Sequence, residues 1–285
     1  MRCDSHVHIV GDPARYQQAA GRPYTAAIAE LAALQRLAAQ RGIARFVIVQ
    51  PSFYLADNRL LLESLDALGE HGRGVAVVDP ADAPPALMAD YHARGVCGLR
   101  INLYTLPGGK KPPPLASVFA ANAALARGQG WHVEAIAPLA MLLDASRDLA
   151  SSPAPVVIDH YGLYSGFTPN DAGGRSLLAL LGLPHVWVKL SAPYRSMDNA
   201  VAAKPDPAWL AAILAAAADR CVWGSDWPHT PPHELQTGNA VAVPYRDLRY
   251  EDVVDGFLAA LPSAATADKI MIHNPAVLYG FPHKG

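Results

Sequence analysis

Residues 44–80 read ARFVIVQPSFYLADNRLLLESLDALGEHGRGVAVVDP. The two ends, 44–50 and 74–79, are short runs rich in β-branched residues; between them leucines recur at helical spacing before the segment stops at glycine. A period of two residues gives way to one of 3.6 and then returns, which marks strand, helix and strand in succession. The same alternation covers the chain. Further β-rich runs lie at 3–10, 97–102, 131–136, 155–160, 186–191 and 221–226, with Ala/Leu-rich helical stretches such as 25–42, 115–130, 138–150 and 205–220 between them.

Strict alternation of strands and helices argues for parallel pairing with right-handed crossovers. Eight such runs predict a (β/α)8 TIM barrel, and a doubly wound open sheet is the rival architecture. Arg100, Asn102, Asp159, His160, Ser191 and Asp226 sit in or at the carboxyl ends of their runs, the rim that carries the active site in both. No G-x-G-x-x-G or phosphate loop follows any run, which removes the usual support for an open nucleotide-binding sheet. At 285 residues, one barrel domain over 1–285 is the expectation. Two long Pro/Gly-rich stretches, 106–118 and 228–246, read as loops over the rim, and 266–281 as a capping helix.

The chain is 51% hydrophobic and 17% charged, with mean hydropathy +0.11, which suits a large core. A formal net charge of −2 gives no electrostatic grip on nucleic acid or an anionic membrane. Three scattered cysteines, Cys3, Cys97 and Cys221, form no C-x-x-C pair, so neither a disulfide framework nor a zinc knuckle is indicated and a reducing cytoplasm fits. No targeting signal or membrane span is expected, because every apolar run is interrupted well short of the ~20 residues a span requires.

The run at 3–10, CDSHVHIV, carries His6 and His8 two positions apart, hence on one face of a strand. A lone histidine pair is usually core packing. Here His160 ends the sixth run and Asp226 the eighth, and strands one, six and eight of a closed barrel open into one mouth. Three histidines and an aspartate form a nitrogen and oxygen donor set suited to zinc. Without a metal, the same set would activate water and polarise a carbonyl. Asp226 is the candidate base. Arg100 lies inside an apolar run, where an unpaired guanidinium is costly; it reads as a carboxylate clamp, with an ion pair to Asp79 or Glu134 as the structural alternative.

DSHVHI (4–9), VVIDHYG (156–162) and VWGSDWPH (222–229) resemble the amidohydrolase superfamily, whose fold is this barrel. More narrowly, FVIVQPSFYLADN (46–58), GLRIN (98–102), GWHVEAI (130–136) and WVKLSAPYR (187–195) are similar to the 2-pyrone-4,6-dicarboxylate lactonase group, collinearly to HNPAVLYGF (273–281). The resemblance implies hydrolysis of a small carboxylated lactone, with His6, His8, His160 and Asp226 as the catalytic set. It also implies that no metal is required, since these lactonases keep the same residues yet work without one; if zinc binds, those four residues are its ligands. Arg195, Tyr24 and Ser52 match positions that touch substrate in the group, and His229 is a further candidate contact.

This sequence departs from the group in two places. The basic pair after GLRIN is missing, with Lys110 and Lys111 displaced, and the fifth run offers Glu134 and Ile136 where the group has a carboxylate-binding tyrosine. Losing anion donors and gaining a carboxylate disfavours a planar dicarboxylate. A sugar-acid lactone with one carboxylate, its hydroxyls accepted by Glu134, fits better, whether hydrolysed or isomerised. Two alternatives stand beside this reading: a zinc-dependent decarboxylase or hydratase of the same superfamily, and a barrel that binds a ligand without catalysis.

Overall fold

A computed structural model describes residues 1–106, 111–196, 204–231 and 241–282. Eight parallel strands, β1 Arg2–Val7, β2 Ile43–Val49, β3 Gly72–Ala76, β4 Val96–Asn102, β5 His132–Ile136, β6 Val156–Ile158, β7 Val186–Ser191 and β8 Cys221–Gly224, pair in chain order. Helices pack between them, and the sheet curls into a nearly closed barrel. The open nucleotide-binding sheet is thereby excluded, since its strand order reverses at a switch point and this one does not.

The helices follow from local chemistry. Helix α1, Arg59–Leu68, buries Leu61, Leu62, Leu65 and Leu68 on one side and stops at Gly69, whose φ of 53° few other residues tolerate. Helix α2, Pro207–Ala217, begins where Asp206 accepts from the amides of Ala208 and Trp209. The stretch at 25–42 yields a helix only over Leu31–Ala39, because Thr25–Ala26 instead pairs with Ala242–Val243. The chain closes on a helical segment from Ala264 to Tyr279. Tyr279 and Phe281 then pack against Cys3, Val47 and Val222 at the amino-terminal end of the barrel. Among the described residues, no helix is long and apolar enough to cross a membrane.

The seam between β1 and β8 is narrow. Asp226 N donates to His6 O at 2.9 Å and His8 N to Trp227 O at 2.8 Å, around the single bridge Val7–Trp227. Ser225 N adds a bond to the buried Asp4 carboxylate at 2.8 Å. The strands approach closely because Gly224 has no side chain: a Cβ there would lie 2.5 Å from His6 Cβ and 2.7 Å from His6 N. The seam therefore sets His6 of the first strand, and His8 just beyond it, against the aspartate that follows the last.

Beyond their carboxyl ends the later strands turn sharply. His160, Tyr161, Leu163, Ala192, Asp226 and His229 all have φ between 46° and 65°, a region that non-glycine residues seldom occupy. Such conformations persist only where surrounding structure enforces them, and they gather at functional rims.

Candidate active site

Two of the histidines around Asp226 are oriented from behind. His8, one residue past the end of β1, donates from Nδ1 to the Val49 carbonyl at 2.8 Å, so in the neutral ring Nε2 presents a lone pair. His160 is held through Nδ1 by Ser191 Oγ at 2.8 Å. Both Nε2 atoms point towards Asp226.

The two oxygens of Asp226 have different surroundings. Oδ2 accepts from Tyr194 OH at 2.6 Å and from Arg195 Nη2 at 2.7 Å. Oδ1 is buried without a hydrogen-bond partner, ringed by His8 Nε2 at 3.5 Å, His6 Nε2 at 3.6 Å and His160 Nε2 at 3.9 Å. Burial alone would raise this carboxyl; Arg195 and the surrounding imidazoles outweigh it and hold the group well below the usual carboxylate range. Two of the histidines, His6 and His160, are held neutral. Burial, reinforced by Lys189, holds His6 well below its ordinary value, and burial lowers His160 to about 4.

A cavity of about 320 Å³, open solvent at its mouth included, sits above this group and is lined by His8, Tyr24, Ser52, Arg100, His160 and Arg195 among others. Arg100 pairs with neither Asp79 nor Glu134. It donates from Nη1 to the Gln50 carbonyl, lies 4.0 Å from Asp159, and leaves Nε buried without a partner. Arg195 lines the same cavity while bonding Asp226 and Thr230 Oγ1. A larger groove of about 1240 Å³ opens beneath the barrel, but its arginines are engaged: Arg94 by Asp66, Arg73 by backbone carbonyls.

Two expected substrate contacts lie elsewhere. Glu134 is fully buried, bonded through Oε2 to Lys189, and does not line the cavity; Ile136, two residues on, reaches the lining instead. His229 is carried by its φ of 65° away from the cavity and lines a separate surface groove with Trp227 and Tyr245. The loops expected over the rim include 107–110 and 232–240, outside the described residues, and Lys110 falls with them.

Tyr194, Thr230 and Lys189 were not among the expected residues, and Asp159 was placed on the rim without a role. Lys189 was within reach of the reasoning applied to Arg100, because VWVKLS places a charged side chain inside an apolar run that is buried throughout.

His6, His8 and Asp226 offer atoms within 4.8 Å of one another, as do His6, Asp159 and His160, so groups able to hold a metal ion are present. Both sets need His6. Its Nδ1 lies 3.2 Å from Lys189 Nζ and 3.4 Å from Asp159 Oδ1; where the ammonium donates to it, Nδ1 accepts and the neutral ring carries its proton on Nε2. A protonated Nε2 has no lone pair for a metal, and a cation at Nδ1 would meet the ammonium. In that tautomer His6 does not fit a metal; with the proton on Nδ1 it does.

The family described as Amidohydrolase matches residues 3–281. A 4-sulfomuconolactone hydrolase from Rhizobium radiobacter is 28% identical over 281 residues, 97% of this chain and 89% of that protein. A 2-pyrone-4,6-dicarboxylate hydrolase from Comamonas testosteroni is 27% identical over 286 residues, 97% of this chain and 89% of that protein. A crystal structure from Pseudomonas putida, described as a candidate 2-pyrone-4,6-dicarboxylic acid hydrolase, superposes with TM-score 0.82 at 29% identity, covering 99% of this chain and 98% of its own.

Proposed function

This chain belongs to the amidohydrolase family, and from that membership we propose that it hydrolyses a small lactone bearing a carboxylate. The observation that carries the reading is the bare Asp226 Oδ1, encircled by three imidazole nitrogens below a cavity that also holds a guanidinium with an unsatisfied N–H. Relatives named as hydrolases of a sulfonated lactone and of a pyrone dicarboxylate support the substrate class.

The chemistry follows from who can donate. Asp226 Oδ1 and His8 Nε2, 3.5 Å apart, are both acceptors, so they cannot bond each other. A water between them gives one hydrogen to each and turns a lone pair towards the cavity. As its oxygen attacks the lactone carbonyl carbon, Asp226 takes the proton. His6 Nε2, just behind the lining and 3.6 Å from Asp226 Oδ1, is assigned to the carbonyl oxygen, where negative charge develops. Collapse of the tetrahedral intermediate breaks the ring C–O bond, and the leaving oxygen recovers the proton from Asp226. Arg100 anchors the carboxylate, so that the ring is held against the water. No step requires a metal.

A panel of carboxylated lactones, assayed by acid release in the presence of a chelator, tests the reading. Turnover by the wild type and its loss, by about 10²–10⁴-fold, in Asp226→Asn is expected. Activity that vanishes with chelator and returns with zinc would favour the metal-dependent alternative.

A further inference from the structure

Under the cavity, β5 and β7 place Glu134 and Lys189 side by side, both wholly buried. Lys189 Nζ donates to Glu134 Oε2, lies 3.2 Å from His6 Nδ1, and is 3.8 Å from Asp159 Oδ1. Two groups therefore compete for the same imidazole nitrogen. Lys189 offers it a hydrogen, whereas Asp159 Oδ1, 3.4 Å away, would accept one from it. With the ammonium present, Nδ1 accepts and Nε2 keeps the ring proton. With the ammonium gone, the carboxylate draws that proton to Nδ1 and leaves Nε2 bare towards Asp226.

We propose that Lys189, anchored by Glu134, is a positioning residue that locks His6 in its Nε2–H tautomer and so makes it a donor to the reacting carbonyl. Glu134 supplies the counter-charge without which an ammonium in this apolar strand would be untenable. The same lock closes His6 to metal ions. The tautomer assignment needs no substrate; only its catalytic consequence rests on the lactone reading.

The experiment is a ¹⁵N spectrum of the imidazole nitrogens in protein labelled at histidine, with His6 assigned by His6→Gln. For the wild type, His6 Nδ1 is expected unprotonated and Nε2 protonated; an Nδ1–H signal for His6 overturns the proposal. The paired variant Lys189→Met/Glu134→Gln removes both charges together and leaves no orphaned ion. It is expected to move the ring proton to Nδ1, to lower kcat by about 10²-fold, and to change KM by less than about threefold. An unchanged tautomer in a folded paired variant also overturns the proposal, because it would leave Lys189 as the counter-ion of Glu134 alone. Should the paired variant not fold, the wild-type spectrum decides. Should no lactone be turned over, the spectra still decide the tautomer, and the failure belongs to the lactone reading.

Discussion

Arg195 Nη2 holds Asp226 Oδ2 at 2.7 Å and leaves the other oxygen of the same carboxylate without a partner. One end of the group is tethered while the other faces the cavity. Burial acts to raise Asp226, and Arg195 is the largest influence opposing it. Replacing Arg195 by methionine leaves burial less opposed, so the carboxyl shifts upward. A base must be deprotonated to work, so the acid limb of kcat/KM should move to higher pH in the variant, while the wild type's limb from this group lies below the usual carboxylate range. Superimposable acid limbs in the two profiles would remove Arg195 from this role.

Arg100→Met should weaken binding of a carboxylated lactone, raising KM by about 10–100-fold with a smaller change in kcat, the range for a lost charge-assisted hydrogen bond. The methyl ester of the same lactone, which offers no anion, should not distinguish the two proteins. Arg100→Lys should restore part of the affinity at most, since an ammonium cannot make a bidentate pair.

Acid should destabilise the fold already between pH 6.5 and 4, through the buried histidines. Burial lowers His160 and His229 to about 4, and it lowers His6 and His132 as well. Unfolded histidine titrates near ~6.5, so between pH 6.5 and 4 the unfolded chain binds more protons and stability falls as pH falls. His160 and His229 should each contribute about 3 kcal/mol that is fully present above pH 6.5. Asp4 works the other way: burial raises it to about 6, so its contribution grows as pH drops from 6 towards 3.8. One opposing carboxyl does not cancel four histidines, and urea midpoints at pH 7, 6 and 5 should decline in that order.

Gly224→Ala should separate β1 from β8. The added methyl would stand 2.5 Å from His6 Cβ and 3.0 Å from His6 Cα, and backbone cannot yield as a flexible side chain does. A loss of about 1–3 kcal/mol is expected, with activity falling further than stability because His6 is the residue displaced. Gly128→Ala, in an exposed helical position with nothing within 4 Å of the new methyl, is the control and should be neutral or slightly stabilising. Equal effects from the two substitutions would show that the close approach at Gly224 does not matter.

The barrel was legible because alternation of period needs only neighbouring residues. Each of the eight runs holds a strand, yet 155–160 shortens to Val156–Ile158 and 221–226 to Cys221–Gly224. His160 and Asp226 thus fall just past their strands, at positive φ, where alternation of side chains no longer tells which way a residue points. His229 went astray for that reason. Glu134 was read as a ligand contact because its partner, Lys189, lies 55 positions away in sequence, on a strand separated from its own by β6, and only the curved barrel brings the two side chains together. Pairing across a barrel has no signature in local spacing.

The seam between the first and last strands is fastened by a single bridge and a few bonds, and those bonds hold His6, His8 and Asp226 in register. Ring closure and assembly of the reactive cluster are accordingly one event. A chain halted with seven strands joined would be compact yet inert, and return of turnover during refolding would time the final latch rather than collapse. Circular permutants cut in a distant crossover should keep working, whereas any that loosens this latch should lose activity while most of the barrel stays folded.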